Sequence, residues 1–142
     1  MPQVTINWLA ILVSGVASMI VGFLWYSPIL FGKPWMKLSG MNDKDFEKAK
    51  QDMTKTYGIS FVASLLMAFV LTHSIAQGGA FYKLSGPIVG FQGAFWSWLG
   101  FVMPVQLTSW LYDKKPFQLF LINTGYQLAS LLVMGLILVS WM

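Results

Sequence analysis

The sequence predicts an all-α integral membrane protein, a four-helix bundle that forms one domain over residues 1–142. Three observations predict this fold. Hydrophobic residues make up 56% of the chain and charged residues only 10%, whereas soluble domains carry about 25% charged residues. Stretches long enough for whole helices contain no formal charge. The charges that exist gather in the segments between those stretches. This distribution is typical of a multi-pass membrane protein.

Composition also excludes several kinds of chemistry. The chain has no cysteine, which rules out a disulfide framework, a thiolate nucleophile and cysteine metal ligands. Its net charge of +4 comes from lysines in connecting segments, so the lysines indicate topology rather than nucleic-acid binding. The charge-free N-terminal stretch lacks the basic start and cleavage site of a signal peptide, and we expect it to stay as a membrane helix. We expect no metal and no cofactor.

The first span is predicted over about residues 4–31, which carry no charge and can cross a hydrocarbon core of about 30 Å. Pro28 lacks a backbone donor and disfavours helix at Ser27, so the helix should end or kink there. Small residues at every fourth position predict a face for close helix packing. They are Ala10, Ser14, Ser18 and Gly22.

Residues 33–56 form the one sustained polar stretch, and they hold six of the nine lysines and four of the five acids. The stretch opens with an interfacial anchor, Lys33-Pro34-Trp35, and breaks at Ser39-Gly40. Asn42 or Asp43 can then cap a short amphipathic helix, whose apolar edge is Phe46, Ala49, Met53 and Tyr57. Two roles stay open for this helix: a solvated connector, or a helix that docks a partner.

The second and third spans are predicted over about residues 57–77 and 87–110. Gly78-Gly79 should end the second span, and Pro104 should kink the third by leaving the Gly100 carbonyl without its usual donor. Each span has its own face of small residues. These are Ser60, Ser64, Ala68 and Thr72 in the second span, and Gly86, Gly90, Gly93, Ser97 and Gly100 in the third.

The fourth span is predicted over about residues 117–141, after a short turn at residues 112–116. It carries one polar stripe with helical spacing. The stripe consists of Asn123, Tyr126, Gln127 and Ser130.

Lysine counts predict the orientation. With four spans, the polar stretch and the turn at 112–116 share one side and hold eight of the nine lysines, while the other side holds only Lys83. By the positive-inside rule, the lysine-rich side is cytoplasmic and both termini lie outside. The expected location is the cytoplasmic (inner) membrane of a bacterial-type cell.

Motifs near both ends of the chain resemble a known family. The N-terminal ones are Asn7-Trp8, Gly22-Phe23-Leu24-Trp25-Tyr26-Ser27-Pro28, Leu30-Phe31-Gly32-Lys33 and Trp35-Met36-Lys37. The C-terminal ones are Gly100-Phe101, Ile122-Asn123-x-Gly125-Tyr126, and Val133-Met134-Gly135 with Trp141. Together they resemble the small membrane proteins catalogued as domain of unknown function 1761. The resemblance implies a compact four-span membrane protein of no established activity.

Polar side chains within the spans are the first candidates for a site, because amides in hydrocarbon need partners and should face the interior. One interpretation is hydrogen bonding between helices. The other is a polar pocket or narrow pathway for a neutral solute or a weakly bound cation. The candidate residues are Gly100, Pro104, Gln106, Asn123, Tyr126, Gln127 and Ser130.

Two further groups are expected near the membrane interfaces. Asn7 and His73 should lie at similar depth on the outer side, where His73 is either a hydrogen-bonded histidine or a proton- or ligand-responsive site. At the opposite interface, five aromatic residues fit an aromatic belt better than a box for a cationic headgroup, namely Trp25, Tyr26, Trp35, Trp110 and Tyr112. The interfacial motif residues are expected on the same side. They are Trp25, Tyr26, Pro28, Lys33 and Trp35.

Two functions remain open. The leading hypothesis is a passive pathway or polar pocket for a small solute or ion, in the bundle or at an oligomer interface. The alternative is a non-transporting module that binds lipid or assembles with other membrane proteins. An enzyme is not expected, because the spans contain no Asp, Glu, Lys, Arg or Cys. The number of small-residue faces predicts a homo-oligomer, with a dimer favoured.

Overall fold

The computed structural model describes residues 3–142, and this part of the chain is helical with short connections. The helices are α1 (Trp8–Trp25), α2 (Gly32–Ser39), α3 (Asp43–Gln51), α4 (Met53–Tyr82), α5 (Pro87–Ser97), a π-helical segment (Trp98–Val102), α6 (Met103–Asp113) and α7 (Phe117–Ser140). Four stretches are long and apolar enough to cross a membrane, namely Trp8–Trp25, Met53–Tyr82, Pro87–Asp113 and Phe117–Ser140. The predicted all-α fold with four spans is confirmed.

Helix α7 is the centre of the bundle and packs against α1, α4, α5 and α6. Helix α4 also packs against α1 and α5. The core consists of apolar side chains from all four spans, with Ala68, Ala94 and Met134 completely buried. The outer surfaces of the spans remain apolar and exposed, as expected for helices that face lipid.

Small residues bring the helices together as their spacing predicted. Ala10, Ser14 and Ser18 are buried on α1, and Ser64, Ala68 and Thr72 are buried on α4. At Gly90 of α5 the backbone approaches α7 so closely that an added Cβ would overlap the Gly135 carbonyl. Most of these faces are therefore used inside a single chain, so they no longer argue for a homo-oligomer.

Helix α1 is shorter than the predicted first span at 4–31. The Asn7 side chain accepts a hydrogen bond from the Ala10 amide (3.1 Å) and caps the helix start. The other end stops at Trp25, where the chain turns through Ser27 and Pro28. The predicted break near Ser27 is confirmed, and residues 26–31 form a turn instead of a last helical turn.

The polar stretch contains two short helices where one was predicted. Helix α2 includes the expected Lys33-Pro34-Trp35 anchor and ends at Gly40, whose φ of 72° confirms the break. Of the two predicted candidates, Asn42 and not Asp43 caps α3. The backbone N–H of Asn42 also donates to the Asp45 carboxylate. The sequence analysis missed helix α2. Pro34 was interpreted as part of an interfacial anchor, but proline is well tolerated in the first turn of a helix.

Helix α4 does not end at Gly78-Gly79, and that prediction is wrong. It continues to Tyr82 and closes at Lys83, whose backbone is left-handed (φ 54°) and whose N–H donates to the Gly79 carbonyl. Glycine costs only about 1 kcal/mol in a helix. An open backbone in an apolar medium costs several kcal/mol for each unsatisfied group, so continuing the helix is favoured.

The irregularity expected at Pro104 is a π-helical turn rather than a simple kink. The Met103 N–H donates to the carbonyl of Trp98, five residues back, and Pro104 lies in the first turn of α6. Because Pro104 has no N–H, the Gly100 carbonyl lacks its usual α-helical donor. The π turn therefore absorbs the proline without breaking the span.

The connections place the two lysine-rich segments together. Lys115 donates to the carbonyl of Ser39 (2.9 Å), at the end of α2. At the other end of the bundle, the Asn7 amide donates to the carbonyl of Trp141 (3.4 Å). The polar stretch and the turn before α7 thus share one end, and the two ends of the described chain share the other.

The close approach at Gly90 gives a stability prediction. Gly90→Ala should lower the free energy of unfolding by about 1–3 kcal/mol, because the new methyl group meets backbone that cannot rotate away. Gly58→Ala is the matched control, since a Cβ at Gly58 meets nothing within 4 Å. Denaturant titration in detergent micelles, followed by tryptophan fluorescence, measures both. Equal stability of the two variants would contradict the packing described.

Candidate functional site

The N-terminal and C-terminal motifs meet at the lysine-rich end of the bundle. The indole Nε1 of Trp25 donates to the carbonyl of Ile122 (2.9 Å). The hydroxyl of Tyr26 donates to Oδ1 of Asn123 (2.8 Å). These two bonds tie the end of α1 to α7 across more than ninety residues of sequence. We call Trp25, Tyr26, Trp35, Asn123 and Tyr126 the aromatic clasp.

Glycines allow the rings of the clasp to lie against the helices. A Cβ at Gly22 would lie 3.2 Å from the Tyr126 hydroxyl, and one at Gly125 would lie 3.0 Å from the Trp25 ring. Tyr126 also packs edge-on against Tyr26, with ring centroids 5.4 Å apart. Each glycine therefore leaves the space that an aromatic side chain from the neighbouring helix occupies.

The turn after α1 packs against the aromatic clasp. Gly32 is buried, and a side chain there would collide with the backbone of Tyr26 and Ser27. Its N–H donates to the Ser27 carbonyl (2.9 Å). Trp35 then packs edge-on against Tyr26 at 5.7 Å. Lys33 and Pro28 are exposed, so they shape and flank this turn without joining the clasp.

Tyr26 remains a hydrogen-bond donor over the physiological range. Burial, and to a smaller extent its interaction with Tyr126, raises the pKa of Tyr26 above its ordinary value. The phenol therefore stays protonated and keeps its bond to Asn123. In this bond the Tyr26 hydroxyl is the donor and the Asn123 amide oxygen is the acceptor. An amide oxygen is too weak a base to take the proton from tyrosine.

A second polar group lies deeper in the bundle and was not predicted as a cluster. The hydroxyls of Ser18 and Ser130 lie 2.6 Å apart. The Ser64 hydroxyl donates to the Ser60 carbonyl (2.9 Å) and lies 3.4 Å from the Ser18 hydroxyl. This serine cluster joins α1, α4 and α7. Its sequence signal was the serines among the small residues, which mark hydrogen bonding as well as close packing.

The serine cluster has one unsatisfied neighbour. Ser14 is fully buried, and its hydroxyl has no partner among the described residues. It lies one helical turn before Ser18 on the same face of α1. Buried hydroxyls without partners are rare in proteins.

The remaining candidates for a pocket or pathway do not form one site with these groups. Gln127 is half-buried, and no side-chain hydrogen bond joins it to any residue in 3–142. Gln106 is also half-buried, with a buried Oε1 that has no partner there. Gly100 is exposed, and a Cβ on it would meet nothing within 4 Å. Pro104 lies in the first turn of α6, directly after the π turn, and its carbonyl accepts a hydrogen bond from the Thr108 hydroxyl (2.9 Å).

Asn7 and His73 both form hydrogen bonds at the other end of the bundle. Asn7 caps α1, as described above. Nδ1 of His73 donates to the carbonyl of Phe69 (2.9 Å) on the same helix, and the Phe69 ring lies 6.0 Å from that of Trp8. No group of three or more His, Asp or Glu residues that could hold a metal ion occurs within residues 3–142.

A further candidate site is a groove of about 780 Å³ between α4 and α5. The two helices touch where Gly93 meets Ile75, since a Cβ at Gly93 would lie 2.9 Å from the Ile75 side chain. We call the adjoining space the α4–α5 groove. Its lining residues are Ser74, Gly78, Tyr82, Leu84, Val89, Gln92, Gly93, Trp96, Ser97 and Phe101.

Sequence reasoning missed the α4–α5 groove, although part of its signal was present. Gly93 and Ser97 belonged to the predicted face of the third span. The groove needs a second pair, Ser74 and Gly78, which is also spaced by four residues but lies off the buried face of α4. Two pairs of small residues on facing helices leave the α4–α5 groove between them. The groove is recognised only when the structure shows that the two pairs face each other.

Comparisons with known proteins agree with the fold. A family model described as "Protein of unknown function (DUF1761)" matches residues 9–139, nearly the whole chain. No curated protein and no solved structure matches the chain.

The bond between Tyr26 and Asn123 predicts an energetic coupling. Tyr26→Phe should lower the free energy of unfolding by about 0.5–1.5 kcal/mol, because the Asn123 amide loses its donor. In the double variant Tyr26→Phe/Asn123→Leu the two costs should not add. Unfolding titrations in micelles measure the cycle. Tyr112→Phe serves as control, since Tyr112 is 82% exposed. Strictly additive effects would show that the bond contributes nothing.

Proposed function

Because the chain belongs to the DUF1761 family, whose function is unknown, we propose its activity from the structure: it is a non-transporting, lipid-binding membrane protein. The α4–α5 groove carries this proposal. It is the site where one amphiphilic lipid is held against the bundle. The proposal includes no catalytic step.

The polar stripe of α7 supports a structural role for the bundle interior. Asn123 accepts a bond from Tyr26, and Ser130 shares one with Ser18. At the serine cluster, hydroxyls from α1 and α7 lie 2.6 Å apart, so no space for a solute separates these helices there. Asn123 and Ser130, two of the groups that could have lined a pathway, instead connect helices to each other.

The α4–α5 groove has the size and chemistry of a ligand site. Its volume of about 780 Å³ lies within the range of roughly 300–1,000 Å³ typical of small-molecule sites. Trp96 and Phe101 provide exposed apolar walls, and the amide of Gln92 with the hydroxyls of Ser74 and Ser97 provides a few polar groups. Apolar walls with sparse polar groups suit an amphiphile.

The position of the α4–α5 groove favours a lipid as the occupant. It lies between two of the four apolar spans and runs from Tyr82 and Leu84 at one end of the bundle toward Phe101 in the middle of the third span. An extended acyl chain fits such a path, with its polar end near Tyr82. A second copy of the chain is the other possible occupant, and the experiment below separates the two.

One observation favours a second candidate function, a passive pathway for a small polar solute or cation. The buried Oε1 of Gln106 has no partner within residues 3–142, and an amide oxygen in an apolar medium is costly unless it binds something. A pathway of this kind would run beside α6, next to the Gly100 carbonyl that lacks its α-helical donor.

Filling the α4–α5 groove tests the lipid proposal. Gly78→Leu should abolish retention of a bound lipid in native mass spectrometry of protein purified in mild detergent, because the new side chain occupies the groove. A Cβ at Gly78 meets nothing within 4 Å, so the new side chain starts in open space. Gly58→Leu, at the equally open Gly58 of the same helix, should retain the lipid.

Two results would reject the lipid proposal. One is an identical lipid content in wild type, Gly78→Leu and Gly58→Leu. The other is a lipid-free dimer that Gly78→Leu converts to a monomer, which assigns the groove to a second copy.

Liposome flux tests the second candidate. If the protein forms a passive pathway, purified protein should release small polar solutes or monovalent cations from liposomes, and Gln106→Leu should lower that flux severalfold at equal protein amount. Gln118→Leu is the control, because Gln118 is exposed at the start of α7. Absence of flux across neutral solutes and cations would exclude the pathway.

A further inference from the structure

The α4–α5 groove ends beside a single positive charge. Tyr82 and Leu84 both line the groove, and Lys83 lies between them in the chain. Lys83 is exposed. It is also the only charged side chain between Lys55 and Asp113. The one lysine of this end of the bundle therefore lies in the chain at the rim of the groove, although its side chain is not among those that line it.

The backbone holds Lys83 at this rim. The N–H groups of Lys83 and Leu84 both donate to the carbonyl of Gly79, which anchors the end of α4. Lys83 itself takes a left-handed conformation, with φ of 54°. Lys114 closes α6 in almost the same conformation, with φ of 55°. A lysine at a helix C-terminus is favoured by the helix dipole alone, so its position at a helix end does not by itself indicate a ligand site. The groove distinguishes Lys83 from Lys114.

No acidic side chain neutralises Lys83 in the described chain. The one ion pair within residues 3–142 joins Lys50 to Glu47, at 4.0 Å on α3. All five acids lie in the polar stretch or the turn before α7, and both segments belong to the opposite end of the bundle. A positive charge beside an apolar groove is complementary to a molecule with an apolar chain and an anionic head.

We propose that the α4–α5 groove selects an anionic lipid, whose headgroup phosphate or carboxylate binds Lys83 while one acyl chain runs along Trp96 and Phe101. This inference rests on the lipid-binding function proposed above and adds the class of lipid. Lys83 provides charge attraction. The phenol of Tyr82 and the amide of Gln92, which both line the groove, provide hydrogen-bonding groups for the polar region below the head. The lipid belongs to the leaflet on the Lys83 side.

Competition between two lipids tests the headgroup preference. The full chain is reconstituted in bicelles with equal amounts of phosphatidylglycerol and phosphatidylcholine of identical chains, and the lipid retained on the protein is measured by native mass spectrometry. Wild type should retain mostly phosphatidylglycerol. Lys83→Asn should lower the ratio of retained anionic to zwitterionic lipid about fivefold, the effect of one lysine near a membrane surface. Asparagine accepts the left-handed conformation.

Matched variants separate Lys83 from the other lysines. Lys83→Arg keeps the charge and should keep the ratio. Lys114→Asn removes a lysine with the same backbone conformation at the other end of the bundle, and it should leave the ratio unchanged. High salt should lower the wild-type ratio, because an exposed charge pair is screened. This last measurement needs no variant and remains informative where Lys83→Asn folds poorly.

The outcomes distinguish the two proposals. If Gly78→Leu abolishes retention while Lys83→Asn leaves the ratio unchanged, the groove binds lipid and the selection by Lys83 is wrong. If Lys114→Asn lowers the ratio as much as Lys83→Asn, the preference comes from general surface charge and the inference is overturned. If Gly78→Leu changes nothing, the lipid-binding function itself fails.

Discussion

The fold depends on the need to satisfy polar groups in an apolar medium. Each span satisfies its own backbone as a helix, and several polar side chains bond across to a neighbouring helix. Helix α7 provides most of the acceptors. Trp25 and Trp98 donate their indole N–H groups to carbonyls of α7, at Ile122 and Thr124, both at 2.9 Å. Tyr26 and Ser18 bond to side chains on the same helix. These hydrogen bonds join α1 and the π-helical segment to α7.

Close packing makes those hydrogen bonds possible. A serine hydroxyl is short, so the bond between Ser18 and Ser130 forms only where the two helices nearly touch. The same holds for the aromatic clasp, where Gly125 leaves room for the Trp25 ring. Small residues on these spans thus have two effects. They bring backbones together, and they place short or bulky donors within reach of the acceptors on the facing helix.

The sequence was sufficient for features that depend on local spacing. Charge-free stretches predicted four spans. Small residues at every fourth position predicted the packing faces of α1 and α4, and Asn42 was one of the two candidates for the start of α3. Features that depend on competition between energies were missed. The glycine pair at 78–79 disfavours helix locally, but the apolar surroundings favour its continuation. Pro104 predicted a disturbance, while the π turn that absorbs it depends on how α5 and α6 pack against α7.

The candidate site shows a second limit, because periodicity identifies a face without identifying its partner. Asn123 and Ser130 belong to a polar stripe that the spacing within α7 predicted. In the structure these two residues bond to Tyr26 and Ser18, and the spacing within α7 cannot reveal those partners. The α4–α5 groove is the converse case. Ser74, Gly78, Gly93 and Ser97 belong to two different helices, and neither pair is notable alone. In this bundle the polar residues that are easiest to recognise hold the interior together. The space for a ligand arises on the outside, where two helices touch at Gly93 and Ile75 and leave the surface beside that contact unfilled.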